Sequence, residues 1–594
     1  MISCIADNIT SPLGESTAQN YEAVKAGRCA LRQAQGPFRQ AQGQGGKGHT
    51  RFETLAVKSA ESAILESGIN PSQENVVLIL STTKANIEVL EKGEDPSPAL
   101  AAQHIAQALG IVTQPIVVCN ACISGVAAII LAQRLLEGGI YDYAIVCGAD
   151  VLTKFTVSGF ESLKAVSDEP CRPFDIERLG LNLGEAAATM VLTHGDSPRV
   201  LRELSTQGTV PMSHWTIEAG AIRNDGFHIS SPSKDGEGAR RALEAILRQA
   251  QEPIRQAQEP IRQAQGPLRQ AQGPSAEAVK DSLAQINAHG TATMFNDQME
   301  SVAIERAGLN EVPVNALKGY FGHTLGAAGI LETIITMRAL DDHTIIGTKG
   351  FEERGVSGKI LVTKDHQPTD KQRFVKMISG FGGGNAAILV GRGDADGYKS
   401  FDRLRNPFDK LRDRDRLRNF PTIHITPKGA WVDGKAIETV EEGSALLTEL
   451  YKHYIGDYPK YYKMDALSRL GFVASELLLK HCQAMKPDAI ILFNHSSSIQ
   501  ADRNYQTSIA DPENYFPSPS AFVYTLPNIV TGEIAIRNHI QGETSFFILQ
   551  EKDEQLMQQI IAVSFADTGT QRILCGWVDA EDEEHFEAEL TIRD

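Results

Sequence analysis

The sequence predicts an α/β fold in which a mainly parallel sheet is covered by helices. Short apolar runs alternate with longer amphipathic stretches, and this alternation occurs twice along the chain. Strands that alternate with amphipathic helices are typical of parallel sheets whose faces are both covered. The 594 residues, of which 42% are hydrophobic and 22% charged, suit a large globular protein with more than one folding unit.

The predicted elements fall into two groups, before and after residue 206. The first group contains strand 76–80, helix 98–110, strand 115–119, helix 123–139 and strand 143–149. The second group contains the segments 285–290, 312–317 and 327–340, and the closing strand 386–392. We therefore predict an N-terminal half at 1–205 and a second half at 206–392.

Three biased segments interrupt this pattern, at 32–48, 248–274 and 402–419. The first two are built on a repeated RQAQ unit in which Pro or Gly recurs too often for a continuous helix. We predict that all three segments are surface insertions or linkers that take no part in the chemistry of the protein. Residues 393–420 are predicted to be a linker, and 421–594 a further α/β segment.

Charge and cysteine content narrow the function classes. A net charge of −17 argues against nucleic-acid binding. The longest apolar stretches, such as 126–132, are too short for membrane insertion, and the N-terminus lacks the features of a signal peptide. The eight cysteines form no disulfide framework, and the pair Cys119 and Cys122 has no nearby histidine cluster to complete a metal site. We expect a cytoplasmic protein without a metal.

One cysteine lies where a strand passes into a helix, in VVCNACISGVAAIILA. Cys122 is then expected at a helix N-terminus, where the dipole and free N–H groups favour thiolate over thiol. The small neighbours Ala121, Ser124 and Gly125 leave room for a substrate. The alternative is a buried core cysteine, which is how Cys119, Cys147 and Cys171 are interpreted.

Two loops each carry a histidine among glycines. His289 follows the strand QINA and begins a loop with Thr291 and Thr293. Lys318 and His323 flank a second loop in NALKGYFGHTLGAAGILE. Such rigid loops suit an imidazole that stabilises an electrophile.

Two further features accompany these loops. Glu332 lies in the apolar helix GILETIITM, where burial without partners is costly, so it is expected either to hold the Lys318 loop or to be exposed. The glycines of ISGFGGGNAAILVGR, 378–392, precede a strand and bring backbone close to a site. Phosphate binding is disfavoured, because no GK[ST] follows.

The cysteine segment, the two histidine loops and the glycine-rich segment occur in a characteristic order. In this order they resemble the corresponding elements of β-ketoacyl-acyl carrier protein (ACP) synthases, Cys-His-His condensing enzymes of the thiolase superfamily. SPLGESTAQNYEAVKAGRCALR near the start, CRPFDIERLGLNLGEAAATMVL at 171–192 and NDGFHISSP at 224–232 are similar too. The resemblance covers residues 1–392 apart from the insertions. It implies thiolase-like, duplicated α-β-α-β-α layers.

The resemblance also implies roles for individual residues. Cys122 matches the residue that accepts the acyl chain as a thioester. His289 and His323 match the histidines that bind the extender carbonyl. Lys318 matches a lysine that supports the second histidine, and Glu332 matches a buried structural glutamate.

Three more residues are implied around the substrate. Phe381 matches a gating phenylalanine whose N–H forms an oxyanion hole with that of Cys122. Thr291 and Thr293 match hydroxyls that contact the pantetheine arm. Gly384 departs from the family, which usually has threonine there.

The implied reaction is the decarboxylative Claisen condensation of malonyl-ACP with an acyl chain on Cys122, in fatty-acid or polyene/polyketide biosynthesis. No cofactor is implied beyond the phosphopantetheine of the ACP partner. A homodimer is expected, with a heterodimer as the alternative. Two other functions are a silent, chain-length-factor-like partner of another ketosynthase, and a degradative thiolase. The late cysteine of thiolases is missing from GFGGGN.

Residues 421–594 resemble the ketosynthase-like half domains found beside polyene and pigment condensing enzymes. DAIILFNHSSS at 488–498 is similar to NVVLILSTTK at 75–84. Aligning Cys147 with Cys575 places Gln550 at the position of the nucleophile. We predict a half domain that is not catalytic.

Overall fold

The computed structural model describes residues 2–30, 49–194, 215–251, 276–392, 420–482 and 485–594. The predicted insertion 32–48, all but the first four residues of 248–274, and the predicted linker apart from Phe420 lie outside the described residues. The predicted domain boundaries fall at or beside these gaps and stay predictions.

The first unit of the fold contains five strands. Its elements are β1 (Ile2–Thr10), α1 (Thr17–Lys25), α2 (Arg51–Ser67), β2 (Val76–Ser81), α3 (Pro98–Ala108), β3 (Ile116–Val118), α4 (Ser124–Glu137), β4 (Tyr143–Asp150), α5 (Lys154–Ser162) and β5 (Ala186–His194). Local sequence sets several boundaries. Thr50 and Glu53 form a capping box that begins α2, and Gly68 ends it in the left-handed conformation.

The second unit follows the same plan with additional short strands. Its elements are β6 (Trp215–Asn224), α6 (Glu237–Gln249), α7 (Ala276–Ser282), β7 (Gln285–Asn287), α8 (Met294–Arg306), β8 (Pro313–Asn315), α9 (Lys318–Phe321), α10 (Ala328–Asp341), β9 (Thr344–Ile345), β10 (Leu361–Val362), β11 (Gln367–Pro368), β12 (Arg373–Ser379) and β13 (Gly384–Arg392).

The third unit is formed by the C-terminal segment. Its elements are β14 (Thr422–Thr426), β15 (Gly429–Val432), β16 (Lys435–Ala436), α11 (Gly443–Leu450), α12 (Ala466–His481), β17 (Ala489–Asn494), α13 (Ile499–Ala510), α14 (Pro519–Tyr524), α15 (Ile529–Asn538), β18 (Thr544–Ile548), α16 (Glu554–Ser564), β19 (Ile573–Ala580) and β20 (Phe586–Arg593).

All three units share one strand order. It is β3-β2-β4-β5-β1 in the first unit, β8-β7-β12-β13-β6 in the second and β18-β17-β19-β20-β14 in the third. Each unit has two parallel pairings followed by two antiparallel ones. The predicted duplicated α/β architecture is therefore confirmed, and four of the five strands of each unit run in one direction, as expected for a mainly parallel sheet. Strands β5, β13 and β20 run against the others. The spacing of apolar residues along the sequence does not show strand direction, since β5 and β13, which pair antiparallel with both neighbours, are as apolar as the parallel strands.

Two helices form the centre of the molecule. Almost every residue of α4 and α10 is buried. They approach closely because each has a glycine at the crossing, Gly125 and Gly329: a Cβ on Gly329 would lie 2.7 Å from the backbone nitrogen of Val126. This crossing brings the N-terminal ends of α4 and α10 together, and the candidate site lies there.

The third unit extends the sheet of the first. Strand β18 pairs antiparallel with β3, with Phe547 opposite Val118 and Ile548 opposite Val117. Two buried ion pairs cross the same boundary, Lys84–Asp502 and Arg134–Glu543, and a third, Arg223–Asp567, joins the third unit to β6 of the second. Among the described helices, none is both long enough and apolar enough to cross a bilayer.

The sheet register corrects the alignment of the third unit with the first. Ser81 and Val118 are paired in the first unit, and Asn494 and Ile548 are the corresponding pair in the third. Ile548 therefore matches Val118, and the same offset relates the start of α16 to the start of α4. Lys552, not the predicted Gln550, stands at the position of Cys122. The cysteines 147 and 575 are not equivalent; identity of residue type gave a misleading alignment.

Candidate active site

Cys122 lies in a tight turn between β3 and α4. The turn is a 3-10 segment, Ala121–Ile123, and Ala121 has a left-handed φ of 49°. The Ser124 hydroxyl fixes the turn, because it accepts the Asn120 N–H at 2.8 Å and donates to the Ala121 carbonyl at 2.6 Å. The sulfur is thus held just before the helix, as the sequence predicts.

Burial changes the expected protonation of this thiol. Cys122 is only 8% exposed. Burial raises the pKa of the Cys122 thiol to about 12, although the positive charge of Lys318 acts in the opposite direction. The sequence predicted that the helix N-terminus favours thiolate. In the folded site, desolvation is the larger effect, and the thiol is the resting form.

Alkylation of Cys122 tests this protonation state. We expect its rate with iodoacetamide to rise about tenfold per pH unit between about pH 7 and pH 9, without a plateau, because only the thiolate reacts. Mass spectrometry of the peptide that contains Cys122 measures the rate, with Cys122→Ala as the control for assignment. A plateau below about pH 8 would show that the helix terminus outweighs burial.

His323 lies directly beside the sulfur. Its Nε2 is 3.1 Å from Cys122 Sγ, and its Nδ1 accepts the N–H of Leu325 at 3.3 Å. Burial and the charge of Lys318 lower the pKa of His323 well below its usual value. A neutral ring whose Nδ1 accepts a hydrogen bond carries its proton on Nε2. His323 therefore presents an N–H donor to the site.

His289 faces His323 across the pocket. The two ring centroids are 4.9 Å apart and the rings are nearly perpendicular. Burial, followed by Lys318, lowers the pKa of His289 well below its usual value, and its Nδ1 has no hydrogen-bond partner in the described part of the chain. The carboxylate of Glu300 accepts the N–H of His289 at 2.7 Å and that of Gly290 at 2.8 Å. Glu300 thus fixes the loop, and the imidazole is left for a substrate.

The three predicted reactive groups converge. One donor atom each from Cys122, His289 and His323 lie within 4.8 Å of one another, and all three residues are buried. Sulfur and imidazole nitrogens are also ligands that suit Zn²⁺, so these are the described residues that are able to hold such an ion. The absence of a metal from the reaction stays a prediction.

A buried ionic cluster supports the two histidine loops. The Glu332 carboxylate accepts Lys318 Nζ at 2.7 Å and Lys376 Nζ on its other oxygen. Lys376 also donates to the carbonyl of Ala288, which precedes His289. Although burial alone opposes ionisation, the two lysines hold the pKa of Glu332 below its usual value. Lys318 lies at the start of α9, which ends just before Gly322 turns the chain into His323.

The glycine-rich loop passes next to the cysteine. A Cβ on Gly380 would lie 3.1 Å from the backbone nitrogen of Cys122. The Phe381 ring stacks on Phe160 with centroids 6.2 Å apart, and Phe160 contacts His323 edge-on at 6.5 Å. A Cβ on Gly384 would lie 2.9 Å from Ile123 Cδ1, the end of a flexible side chain that can shift aside.

The two predicted pantetheine-binding residues lie between His289 and the surface. The hydroxyls of Thr291 and Thr293 are 2.8 Å apart. Thr291 is buried, Thr293 is half-buried, and the next residue, Met294, is exposed. The two hydroxyls therefore lie on the loop that leads from buried His289 to exposed Met294, and their contact with pantetheine stays a prediction.

The sequence did not reveal Lys376, Glu300 or Asp297. Asp297 accepts the N–H groups of Ala292 and Phe174, and so holds the loop that carries Thr291. A signal for Lys376 exists in retrospect: a lysine in the apolar strand FVKMIS requires a buried counter-charge. Glu300 lies on α8, whose sequence MFNDQMESVAIER contains several other polar residues, and so gives no such signal.

Comparison with protein families matches the two halves in order. Residues 47–197 match the β-ketoacyl synthase N-terminal domain, and residues 256–352 match the C-terminal domain. The chain contains both domains of a β-ketoacyl synthase. The chain is 28% identical over 375 residues to the 3-oxoacyl-[acyl-carrier-protein] synthase 2 of Vibrio cholerae, and the match covers 57% of this chain and 82% of that protein.

Two further proteins are similar to this chain over a larger share of its length. The tetracenomycin polyketide synthase ketoacyl synthase alpha subunit of Streptomyces glaucescens is 27% identical over 444 residues, 65% of this chain and 95% of its own. The solved structure of the PfaC keto synthase-chain length factor covers all of this chain and 78% of its own, with a TM-score of 0.71 and 13% identity. At that identity the likeness shows the fold alone, and it includes the third unit.

Proposed function

We propose that this chain is a β-ketoacyl-ACP synthase that condenses a malonyl thioester with an acyl chain held on Cys122. The observation that carries the proposal is the meeting of one thiol and two neutral imidazoles in a buried pocket, with His323 Nε2 at 3.1 Å from the sulfur. The roles of the individual residues are part of the proposal.

The first half-reaction loads the enzyme. The sulfur of Cys122 attacks the acyl carbonyl of a pantetheine thioester, the new C–S bond forms, and the carrier thiol leaves with the proton of Cys122. The N–H groups of Cys122 and Phe381 bind the oxyanion. Among the described residues, the Phe381 N–H has no acceptor, so it is available for this role.

The second half-reaction forms the carbon–carbon bond. The thioester oxygen of the malonyl group binds between the N–H donors of His289 and His323. Cleavage of the carboxylate releases CO₂ and leaves an enolate whose charge these donors stabilise; one such donor is typically worth about 3–4 kcal/mol of barrier. The enolate carbon then attacks the acyl thioester and expels the sulfur of Cys122. A silent, chain-length-factor-like role does not require these intact groups.

Substrates and partners follow from the same proposal. An ACP that carries its substrates on phosphopantetheine is the expected partner, in fatty-acid or polyketide-type biosynthesis and in the cytoplasm. Because β18 occupies the free edge of β3, any homodimer or heterodimer must use another surface. The third unit is not catalytic in this proposal: at the nucleophile position Lys552 pairs with Glu589 at 2.7 Å.

Acyl transfer to the enzyme tests the function directly. After incubation with an acyl-ACP or acyl-pantetheine thioester, we expect the mass of one acyl group on the peptide that contains Cys122. The Cys122→Ala variant should carry none, and Cys29→Ala, a change at a half-buried cysteine outside the site, should load normally. An adduct that persists in Cys122→Ala would contradict the proposal, as would the lack of any adduct on the unchanged protein.

A further inference from the structure

The third unit reaches the glycine-rich loop of the active site. The side-chain amide of Asn528 donates to the Phe381 carbonyl at 2.9 Å. Asn528 is buried and caps the N-terminal end of α15, although its side chain makes no capping bond to that helix. Instead of capping the helix, the amide therefore bonds to the glycine-rich loop of the second unit, which is distant along the chain.

Close packing at the same place leaves no room for adjustment. A Cβ on Gly532, one turn into α15, would lie 2.8 Å from the Gly382 carbonyl oxygen and 2.9 Å from its Cα. A Cβ on Gly382, whose φ is +87°, would lie 2.6 Å from Asn528 Nδ2. Two glycines thus allow the helix and the loop to touch backbone to backbone.

Hydrogen bonds fix the loop on each side of the Phe381 N–H. The Gly380 N–H donates to Gly384 at 2.9 Å, and the Gly382 N–H donates to the Ile229 carbonyl at 2.7 Å. Asn224 donates to the Gly382 carbonyl at 2.8 Å. Asn528 holds the Phe381 carbonyl. Without it, the peptide between Phe381 and Gly382 would be held only by the Gly382 N–H bond to Ile229, and the plane of this peptide helps to set the direction of the Phe381 N–H.

We propose that Asn528 is a positioning residue for the acyl-transfer step: it holds the Phe381 carbonyl so that the Phe381 N–H faces the oxygen of the acyl group on Cys122. This inference rests on the proposed condensing function. It makes the third unit a necessary part of the active site, although that unit supplies no reacting group. Oxyanion stabilisation depends on donors that are held in place before the reaction, so a small rotation of the loop should slow acyl transfer.

The two half-reactions separate this role from a general structural one. In Asn528→Ala we expect the single-turnover rate of Cys122 acylation to fall about 10- to 100-fold, since one oxyanion donor is typically worth about 10²–10³-fold and here it is misplaced rather than lost. Release of CO₂ from a malonyl thioester, which relies on the two histidines, should stay within about twofold of the unchanged protein. The matched control is Asn538→Ala, at the other end of α15, where the side chain contacts Glu476.

A second variant gives a pH signature. Asn528→Asp keeps the shape and helix-capping ability of the side chain, but a carboxylate cannot donate to a carbonyl, whereas a protonated carboxyl can. Its acylation rate, relative to the unchanged protein, should therefore recover as the pH falls from about 8 to about 6, while that of Asn528→Ala should not. Burial helps to raise the pKa of such a carboxyl into this range.

Amide hydrogen exchange of the peptide that spans 378–386 tests the contact without relying on activity. Exchange should become faster in Asn528→Ala and stay unchanged in Asn538→Ala. Unchanged exchange in Asn528→Ala overturns the proposal even if the protein proves to have no condensing activity. Equal losses of acylation and CO₂ release, or a matching loss in Asn538→Ala, also overturn it. Failure of the condensing function is recognised separately, by the lack of any acyl adduct on the unchanged protein.

Discussion

Replacing His323 with alanine should lower CO₂ release from a malonyl thioester about 10²- to 10³-fold, the range typical for the loss of one preorganised donor to a developing oxyanion. The His323 ring is neutral, its Nδ1 is occupied by Leu325, and its Nε2–H is the group that reaches the pocket. The change therefore removes a donor to the enolate. Radiolabelled CO₂ or the decarboxylated thioester product measures the rate.

Acylation of Cys122 should survive in His323→Ala, falling much less than CO₂ release. The ring cannot accept the thiol proton, because Nε2 already carries one, so loading does not use it as a base. His343→Ala is a matched control, since that side chain is 63% exposed and faces Asp370 instead of the pocket. Unchanged CO₂ release, or the complete loss of acylation with CO₂ release retained, would contradict the assigned role.

Local patterns predicted most of the secondary structure around the site. The predicted helix 123–139 is observed as the turn Ala121–Ile123 followed by α4, and the predicted strand 143–149 is β4. These elements are strongly apolar and end at residues that stop helices or strands, so neighbouring residues suffice to define them. The convergence of Cys122, His289 and His323, in contrast, came from the order of motifs in a known family.

Long-range partners were the part that the sequence did not show. Lys376 contacts Glu332 and Ala288, which are distant in the chain, so its place in an apolar strand indicates that a counter-charge is needed but not which residue supplies it. Glu300 lies among other polar residues, and nothing in the sequence indicates that it holds the loop of His289. The equivalent of Cys122 in the third unit was misplaced, because the strands differ in sequence and only their pairing defines the register. The sequence did not show the proposed role of Asn528 either, since that role depends on how α15 packs on another unit.

Replacing Glu332 with glutamine should destabilise the protein by about 3–5 kcal/mol, the usual cost of removing one partner from a buried ion pair. Glu332 is 2% exposed, and Lys318 and Lys376 are fully buried. The change leaves two ammonium groups in the interior with no carboxylate between them. Burial already lowers the pKa of Lys376 to about 8, with Lys318 acting in the same direction and Glu332 opposing them. Without Glu332, Lys376 should lose its proton more easily.

Thermal unfolding measured at about pH 7 and about pH 9 separates this charge effect from a packing defect. Glu332→Gln should be less destabilised at the higher pH, because a neutral lysine costs less to bury than an ammonium. Adding Lys376→Met to Glu332→Gln should recover part of the stability, since it removes one of the unpaired charges. The control is Glu352→Gln, which breaks the ion pair with Lys364 on the surface, where both side chains are about half exposed or more. Exposed ion pairs contribute little to stability, so the loss in this variant should be small. Equal effects of Glu332→Gln and Glu352→Gln would mean that the cluster of Glu332, Lys318 and Lys376 is not ionised as its geometry indicates.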